Sequence, residues 1–175
     1  IYNISLMASV LEVAGAEGAA NWAKGVASNF ARDPQSNDTG QIRAVASGEC
    51  KVSIANTYYI GRLLASGKPE DKAVIDGIRI VFPNQSDRGT HVNLSGAGVV
   101  ASAPNKENAI KFIEYLTSDE AQRIFAEGNN EYPVIGEATG PISTLGSFTE
   151  DQISASILGI RQKEAVELFD QAGWL

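Results

Sequence analysis

Short apolar runs alternate along this chain with segments of helical periodicity, and this alternation limits the possible folds more than any other feature. Two of the runs, "KVSIA" and "IRIVF", have the length and the flanking turn residues of strands. A third apolar run, "GAGVVASA", precedes a proline. Because strands that alternate with helices usually form a mostly parallel sheet, the sequence predicts an α/β fold.

The helices are predicted from apolar residues that recur every three or four positions and from the residues that begin and end them. We expect helices over residues 5–14 and 17–28, with a break at Gly15 between them. Asp38, which is followed three positions later by a glutamine, resembles a capping box for a third helix that Gly48 closes.

Three further helices are expected in the second half of the chain. Asn105 can cap the first, Thr117 belongs to a capping box for the second, and residues 161–172 form the last. Their apolar stripes should face a core. The residues that we expect to be buried there are Ile110, Ile113, Leu116, Ala121, Ile124, Phe125, Ala165, Leu168 and Phe169.

The composition excludes several classes of function. The 175 residues carry a formal net charge of −7, which argues against nucleic acid and anionic membranes as partners, because both attract clustered Lys and Arg. No apolar run approaches the roughly 20 residues of a transmembrane helix. The single cysteine and the single histidine stand in no catalytic motif, and neither a nucleophile elbow nor a P-loop occurs. We therefore do not expect an enzyme.

The adjacent residues Tyr58 and Tyr59 follow the first predicted strand almost directly. Asn56 or Thr57 would be the N-cap of the next helix, so both tyrosines would lie in its first turn. Ligands of open α/β sheets bind at the carboxyl ends of the strands, where such a turn lies. The pair is a candidate binding site, although adjacent tyrosines in an arbitrary chain are more often half-buried packing residues.

Two neighbouring phenol oxygens suit a small, highly charged cation such as ferric iron. Deprotonation of a free tyrosine at pH 7 requires its pKa of about 10 to fall by about 3, which corresponds to roughly 4 kcal/mol. A helix N-terminus supplies only about 0.3–1 kcal/mol of this, whereas a directly bonded trivalent cation can supply the rest. The phenols should therefore lose their protons as the metal binds, and binding should weaken in acid.

Several longer segments resemble one known family. "GECKVSIANTYYIGRL" looks like the signature of the periplasmic ferric-iron-binding proteins, which are the solute-binding components of iron ABC importers. "NWAKGVASNFAR" and "GQIRAVASGEC" are similar to the segments that lead to this signature. Residues 88–134 resemble the later part of the family, and "AVELFDQAGW" resembles its C-terminus. Much of that later part is shared with other type II solute-binding proteins, so the double tyrosine is the element specific to iron.

The resemblance implies a set of iron ligands. In the family the two adjacent tyrosines ligate Fe(III), which corresponds to Tyr58 and Tyr59 here. The cyanobacterial branch adds a third tyrosine far upstream, and Tyr2 stands where that residue would fall. His91 matches a family position near the hinge that does not touch the metal.

The resemblance also implies residues that support the iron. Branches that use a synergistic anion hold it with the asparagine before the tyrosine pair, here Asn56, and with a polar residue for which Asn37 or Asp38 is a loose match. The negative charge of Asp38 would disfavour such an anion. Arg62 lies one turn beyond Tyr58, close enough to donate to a phenolate or an anion, and a plain surface salt bridge is the alternative role.

The implied fold is that of a type II periplasmic binding protein, with two lobes around a hinge. Residues 1–88 and 141–175 would belong to the second lobe, and residues 89–140 would return to the first. Members of the family are nearly twice as long, so we expect most of the N-terminal lobe and at least one further ligand to be lacking here. The implied function is a monomeric periplasmic receptor that captures Fe(III) between its lobes and delivers it to an ABC importer permease.

Two alternatives stay open. The first is a type II binding protein for another solute, such as a polyamine or a small anion. The second is a structural or protective protein built on the same fold and attached to a membrane complex, for example at a thylakoid. An iron-dependent colour would separate the first alternative from an iron receptor, and co-purification with a membrane complex without iron would favour the second.

Overall fold

The computed structural model describes residues 1–35 and 37–174. Within these residues the chain is mainly helical, with α1 (Tyr2–Ala27), α2 (Asp38–Ala46), α3 (Thr57–Ala65), α4 (Pro69–Asp76), α5 (Lys106–Leu116), α6 (Asp119–Asn129), a 3₁₀-helix (Gly140–Leu145) and α7 (Ala155–Ala172). The chain forms two compact units. The first unit comprises Ile1–Pro34, Val81–Ser95 and Phe148–Leu175, and the second unit comprises Gln35–Ile80 and Gly96–Ser147.

Helices α1 and α7 pack against each other in the first unit. The expected break in α1 is confirmed, because Gly15 has φ 70° and ψ 174°, a conformation that essentially only glycine adopts. Two helical segments therefore meet at Gly15. The predicted burial on α7 is also confirmed, although this helix begins at Ala155, earlier than expected. The buried core side chains of the unit are Met7, Ala8, Leu11, Ala19, Ala23, Ala165, Leu168 and Phe169.

A buried polar cluster ties three distant parts of the first unit together. Arg88 Nη1 lies 2.7 Å from Asp151 Oδ2 and donates to Ser9 Oγ at 2.7 Å, and Ser9 Oγ lies 3.2 Å from the same carboxylate oxygen. A parallel bridge between Thr90 and Glu150 runs beside this cluster. The ion pair and the bridge together hold the two non-helical segments of the unit against α1.

The second unit is organised around α3. Ile60 and Leu63 of α3 are buried with Ile42 of α2, and half-buried apolar residues of α4 and the 3₁₀-helix pack around them. An ion pair between Arg43 and Asp71 joins α2 to α4, and Asp71 is almost fully buried. The helix that carries the tyrosine pair is therefore fixed by apolar contacts on its inner face.

The predicted sheet is wrong for the described residues, which contain no β-strand beyond the isolated bridge in the first unit. A strand is stabilised by hydrogen bonds to a neighbouring strand. None of the three apolar runs has such a neighbour within residues 1–35 and 37–174. Each run accordingly has a valine that is open to solvent, with Val52 exposed by 81%, Val81 by 70% and Val100 by 67%. Ile78 and Ile80 of the second run are instead half-buried and pack against the core of the second unit.

Two predicted caps are displaced by one residue. Asn37, not Asp38, caps α2, and Ser118, not Thr117, caps α6; each cap side chain accepts from the backbone N–H three residues on, at 3.3 Å. Asn105 stands at the expected cap position of α5 but makes no side-chain cap hydrogen bond. Neighbouring residues of similar capping ability compete for these positions, and tertiary contacts decide between them.

The predicted burial on α5 and α6 is only partly correct. Ala121 is buried, but Ile110 is exposed by 42% and Ile124 by 54%, so both of these predictions are wrong. The remaining predicted core residues of the two helices, Ile113, Leu116 and Phe125, are half-buried. The reason is that periodicity identifies an apolar stripe but not what covers it, and α5 buries none of its residues within the described part of the chain.

Candidate functional site

The candidate site begins where the chain enters α3. Asn56 is the N-cap, with φ −75° and ψ 142°, and the helix starts at Thr57, as one of the two predicted alternatives requires. The apolar residues Ile60 and Leu63 are buried, and they set the rotation of the helix. Tyr58 therefore lies in the first turn beside its neighbour in sequence.

Tyr58 and Tyr59 stack on each other. Their ring centroids are 4.2 Å apart, and the ring planes are inclined by 30°. Adjacent helical residues point about 100° apart on average, so this stacking brings two phenol groups to one side of the helix start. Both tyrosines are half-buried, so neither ring is enclosed in the core. Two phenol groups thus share one accessible region of the second unit.

Arg62 places a positive charge over both rings. Its guanidinium carbon lies 4.9 Å from the Tyr58 centroid and 5.4 Å from the Tyr59 centroid. Cations within about 6 Å of a ring centroid are attracted by the ring quadrupole. The guanidinium therefore stands where it can balance negative charge on deprotonated phenols.

Asp38 and Asn56 meet beside the tyrosine pair. Asp38 Oδ2 accepts a hydrogen bond from the backbone N–H of Asn56 at 2.7 Å and another from its Nδ2 at 3.1 Å. Asn37 is engaged in capping α2 through its own side chain. Of the two residues proposed as loose matches for an anion-holding position, Asp38 is the one that contacts Asn56.

The other sequence-predicted residues lie in the first unit. Tyr2 is the first residue of α1 and is exposed by 44%. His91 Nε2 lies 3.1 Å from Ser5 Oγ and 3.3 Å from Asn93 Oδ1. Burial lowers the pKa of His91 from its ordinary value, although its hydrogen bond to Asn93 acts in the opposite direction. The role of Tyr2 as an iron ligand stays a prediction.

Two other kinds of site are absent from residues 1–35 and 37–174. These residues contain no group of three or more His, Cys, Asp or Glu side chains arranged to hold a metal ion. In the same part of the chain, no helix is long and apolar enough to cross a membrane.

Sequence reasoning missed a contact on the inner side of α3. Gly61 approaches the side chain of Asn130, which ends α6 in a left-handed conformation. A glycine inside a helix and an asparagine just after one are both detectable in sequence as unusual positions. The contact between them cannot be detected in sequence, because the two residues are distant along the chain.

The family of the chain follows from its sequence as a whole. Residues 2–143, which are most of the chain, match the family described as bacterial extracellular solute-binding protein. The chain therefore belongs to this family. Because its members are binding proteins, the prediction that the chain is not an enzyme is confirmed.

Within the family, the chain is similar along nearly its whole length to proteins of iron uptake. It is 49% identical over 175 residues to iron uptake protein A1 of Synechocystis sp., covering 99% of this chain and 49% of that protein. It is 28% identical over 168 residues to the major ferric iron-binding protein of Neisseria meningitidis serogroup B, covering 94% of this chain and 48% of that protein. The predicted resemblance is confirmed, and the chain spans about half the length of the curated relatives it matches.

Solved structures show the same similarity in three dimensions. The chain matches Trichodesmium IdiA (FutA), in complex with iron and citrate ligands, with a TM-score of 0.94 and 53% identity over 99% of this chain and 56% of that one. It matches apo FutA2 from Synechocystis PCC6803 with a TM-score of 0.94 and 47% identity, covering 99% of this chain and 56% of that one. The fold is therefore that of a type II periplasmic binding protein, of which the described residues form a mainly helical part.

Proposed function

We propose that the protein is a ferric-iron receptor that binds Fe(III) through the phenolate oxygens of Tyr58 and Tyr59. The observation that carries this proposal is the stacking of the two rings at the first turn of α3, with both residues partly open to solvent. Phenolate is a hard anionic donor, and Fe(III) is a small, highly charged cation. Relatives named for iron uptake and for ferric iron binding support the same assignment.

The groups around the pair are suited to this role. Arg62 lies over both rings and compensates part of the charge that two phenolates create. Asn56 is held in one orientation by Asp38, so its side chain is fixed beside the metal region. Tyr2 is the proposed third phenolate ligand.

A small synergistic anion at Asn56 would be repelled by Asp38. At about 4 Å two like charges near a protein surface interact by about 4 kcal/mol at an effective dielectric constant of 20. We therefore infer that any accessory anion here approaches the iron from another direction, as a multidentate carboxylate can. The Trichodesmium structure, which contains iron and citrate, is compatible with such an arrangement.

The proposal extends to the transport cycle of the whole protein. Residues 1–88 and 141–175 would belong to one lobe and residues 89–140 to the other, and closure of the lobes would enclose the metal. The receptor would act as a monomer in the periplasm and deliver Fe(III) to the permease of an ABC importer. Extracellular solute-binding proteins are the family to which the chain belongs, and this membership supports the proposed location.

The test is a visible absorption spectrum of the full-length protein after addition of ferric citrate, together with elemental analysis. We expect a phenolate-to-iron charge-transfer band and one bound iron per chain. Tyr58→Phe and Tyr59→Phe should each weaken the band, and the double variant should abolish it. Tyr115→Phe is the matched control, because Tyr115 is a partly exposed tyrosine of α5. A protein that binds no iron, or a double variant that keeps the band, would overturn the proposal.

A further inference from the structure

Gly61 and Asn130 approach each other more closely than two residues with Cβ atoms could. Gly61 is buried in α3, and a Cβ atom added to it would lie 2.5 Å from Cβ and 2.9 Å from Cγ of Asn130. Real Cβ atoms essentially never approach another heavy atom within 3.0 Å. All three of the nearest atoms to such a Cβ belong to the Asn130 side chain. A methyl group at position 61 would therefore displace either α3 or Asn130.

Asn130 has little freedom to give way. It is the C-cap of α6, with φ 60° and ψ 39°, and its N–H donates to the carbonyl of Ala126 at 3.1 Å. Asparagine and glycine adopt this left-handed conformation more readily than other residues. The residue is 4% exposed, and its buried Oδ1 accepts no hydrogen bond within the described residues. An asparagine kept in this environment is held by the packing around it.

The contact lies within one helical turn of the tyrosine pair. Gly61 follows Tyr58 by three positions, and residues three apart lie on neighbouring parts of one helix face. A short helix moves as a unit, so a displacement of α3 at Gly61 is passed on to both phenol rings. We propose that Gly61 and Asn130 are positioning residues that fix where the Tyr58–Tyr59 pair lies.

The consequence for metal binding rests on the proposed function. Metal–ligand distances vary by only about 0.2 Å in well-formed sites, so a small shift of α3 would disturb both iron–oxygen bonds. Changes at residues that orient metal ligands typically reduce metal affinity by about 10- to 100-fold. We expect a loss of this size when the contact is disturbed.

The experiment compares three variants of the full-length protein. Gly61→Ala introduces the clash. Gly61→Ala combined with Asn130→Gly removes the whole opposing side chain and keeps a residue suited to the left-handed cap. Gly128→Ala is the matched control, because Gly128 is also helical and has no heavy atom within 4 Å of an added Cβ. Two properties are measured: the near-ultraviolet circular dichroism of the iron-free protein, which reports the stacked tyrosines, and the wavelength and affinity of the Fe(III) charge-transfer complex.

We expect Gly61→Ala to change the dichroism and to weaken Fe(III) binding about 10- to 100-fold. The double variant should restore both properties, and Gly128→Ala should leave both unchanged. An unaltered Gly61→Ala protein, or a double variant that restores neither property, would overturn the proposal. If Gly61→Ala does not fold, recovery of folding and dichroism in the double variant supports it, and failure to recover overturns it. If the wild type binds no iron, the proposed function fails, and the dichroism alone decides the positioning role.

Discussion

Asp38 Oδ2 accepts two hydrogen bonds from Asn56, one from the backbone N–H and one from the side-chain amide. This carboxylate therefore lies at the start of α3, where unpaired N–H groups and the helix dipole favour negative charge. Helix α3 has no N-cap side-chain hydrogen bond of its own. The neighbouring helix α2 thus supplies the group that stabilises the start of the helix carrying the tyrosine pair.

Removing the Asp38 carboxylate should destabilise the fold. Asp38→Ala leaves a partly buried N–H without its partner and removes a negative charge from the helix start. We expect the free energy of unfolding to fall by about 1–3 kcal/mol, measured by urea denaturation. Asp76→Ala is the control, because it breaks an exposed pair with Lys72 and should cost no more than about 1 kcal/mol. Equal losses in the two variants would contradict the assignment.

The ion pair between Arg88 and Asp151 should contribute more to stability than any exposed ion pair. Asp151 and Arg88 have side chains exposed by only 7% and 22%. Asp151→Ala leaves the partly buried Arg88 without its carboxylate, and we expect the free energy of unfolding to fall by about 3 kcal/mol in urea denaturation.

The matched control for Asp151→Ala is Glu127→Ala, which breaks an exposed pair with Arg123. Replacing both partners, as Arg88→Met with Asp151→Leu, should recover much of the loss, because no charge is then left unpaired in this cluster. A double variant as unstable as Asp151→Ala would show that the cluster acts through something other than this charge pair.

His91 should make stability depend on pH in mild acid. Burial lowers the pKa of His91 in the folded chain, whereas the unfolded chain binds the same proton near pH 6.5. Between these two values the unfolded chain binds more protons, so this contribution to stability is present above pH 6.5 and is lost as the pH falls toward the folded pKa.

Denaturation of the wild type and of His91→Gln at several pH values from about 5 to 8 tests this dependence. The wild type should lose stability relative to the variant as the pH falls. A difference that does not change with pH would show that His91 titrates alike in both states. A change in the wild type's favour in acid would show that folding raises the pKa of His91.

Iron binding should release protons. Tyr58 and Tyr59 should together release about two protons per iron, and Tyr2 a third if it also binds as a phenolate, so the affinity should fall at least about 100-fold for each decrease of one pH unit. Titration in weak buffer, with iron supplied from the same chelate throughout, measures the release. Tyr58→Phe should release about one proton fewer than the wild type, and Tyr115→Phe should match the wild type. Equal release by all three proteins would exclude coordination by a Tyr58 phenolate.

The ends of the helices are predictable from sequence because they depend on local conformation. Gly15, Gly48 and Gly173 have φ values of 70°, 82° and 67°, and each lies where the sequence places a break or an end. The N-cap residues are harder to predict, because tertiary contacts decide which of two neighbouring polar residues caps the helix. The Asp38 carboxylate accepts a hydrogen bond from Asn56, and Asn37 caps α2 instead.

Long-range features could not be predicted in the same way. Helix α4 was not expected, since charged residues interrupt its apolar spacing, although Pro69 at its first position and two acidic residues in its first turn are start signals. The position of Arg62 beside Tyr58 and Tyr59 is predictable from sequence, because Arg62 lies one helical turn beyond Tyr58. The approach of Asn130 to α3 joins residues with no sequence relation, and only the fold reveals it.

The exposed apolar runs have a consequence for handling the chain. Val52, Val81 and Val100 stand on segments that lack a strand partner within the described residues. Solvated, β-branched segments of this kind readily add to one another between molecules. During recovery from denaturant, intermolecular pairing would compete with correct folding, so the yield of native chain should decline as its concentration rises.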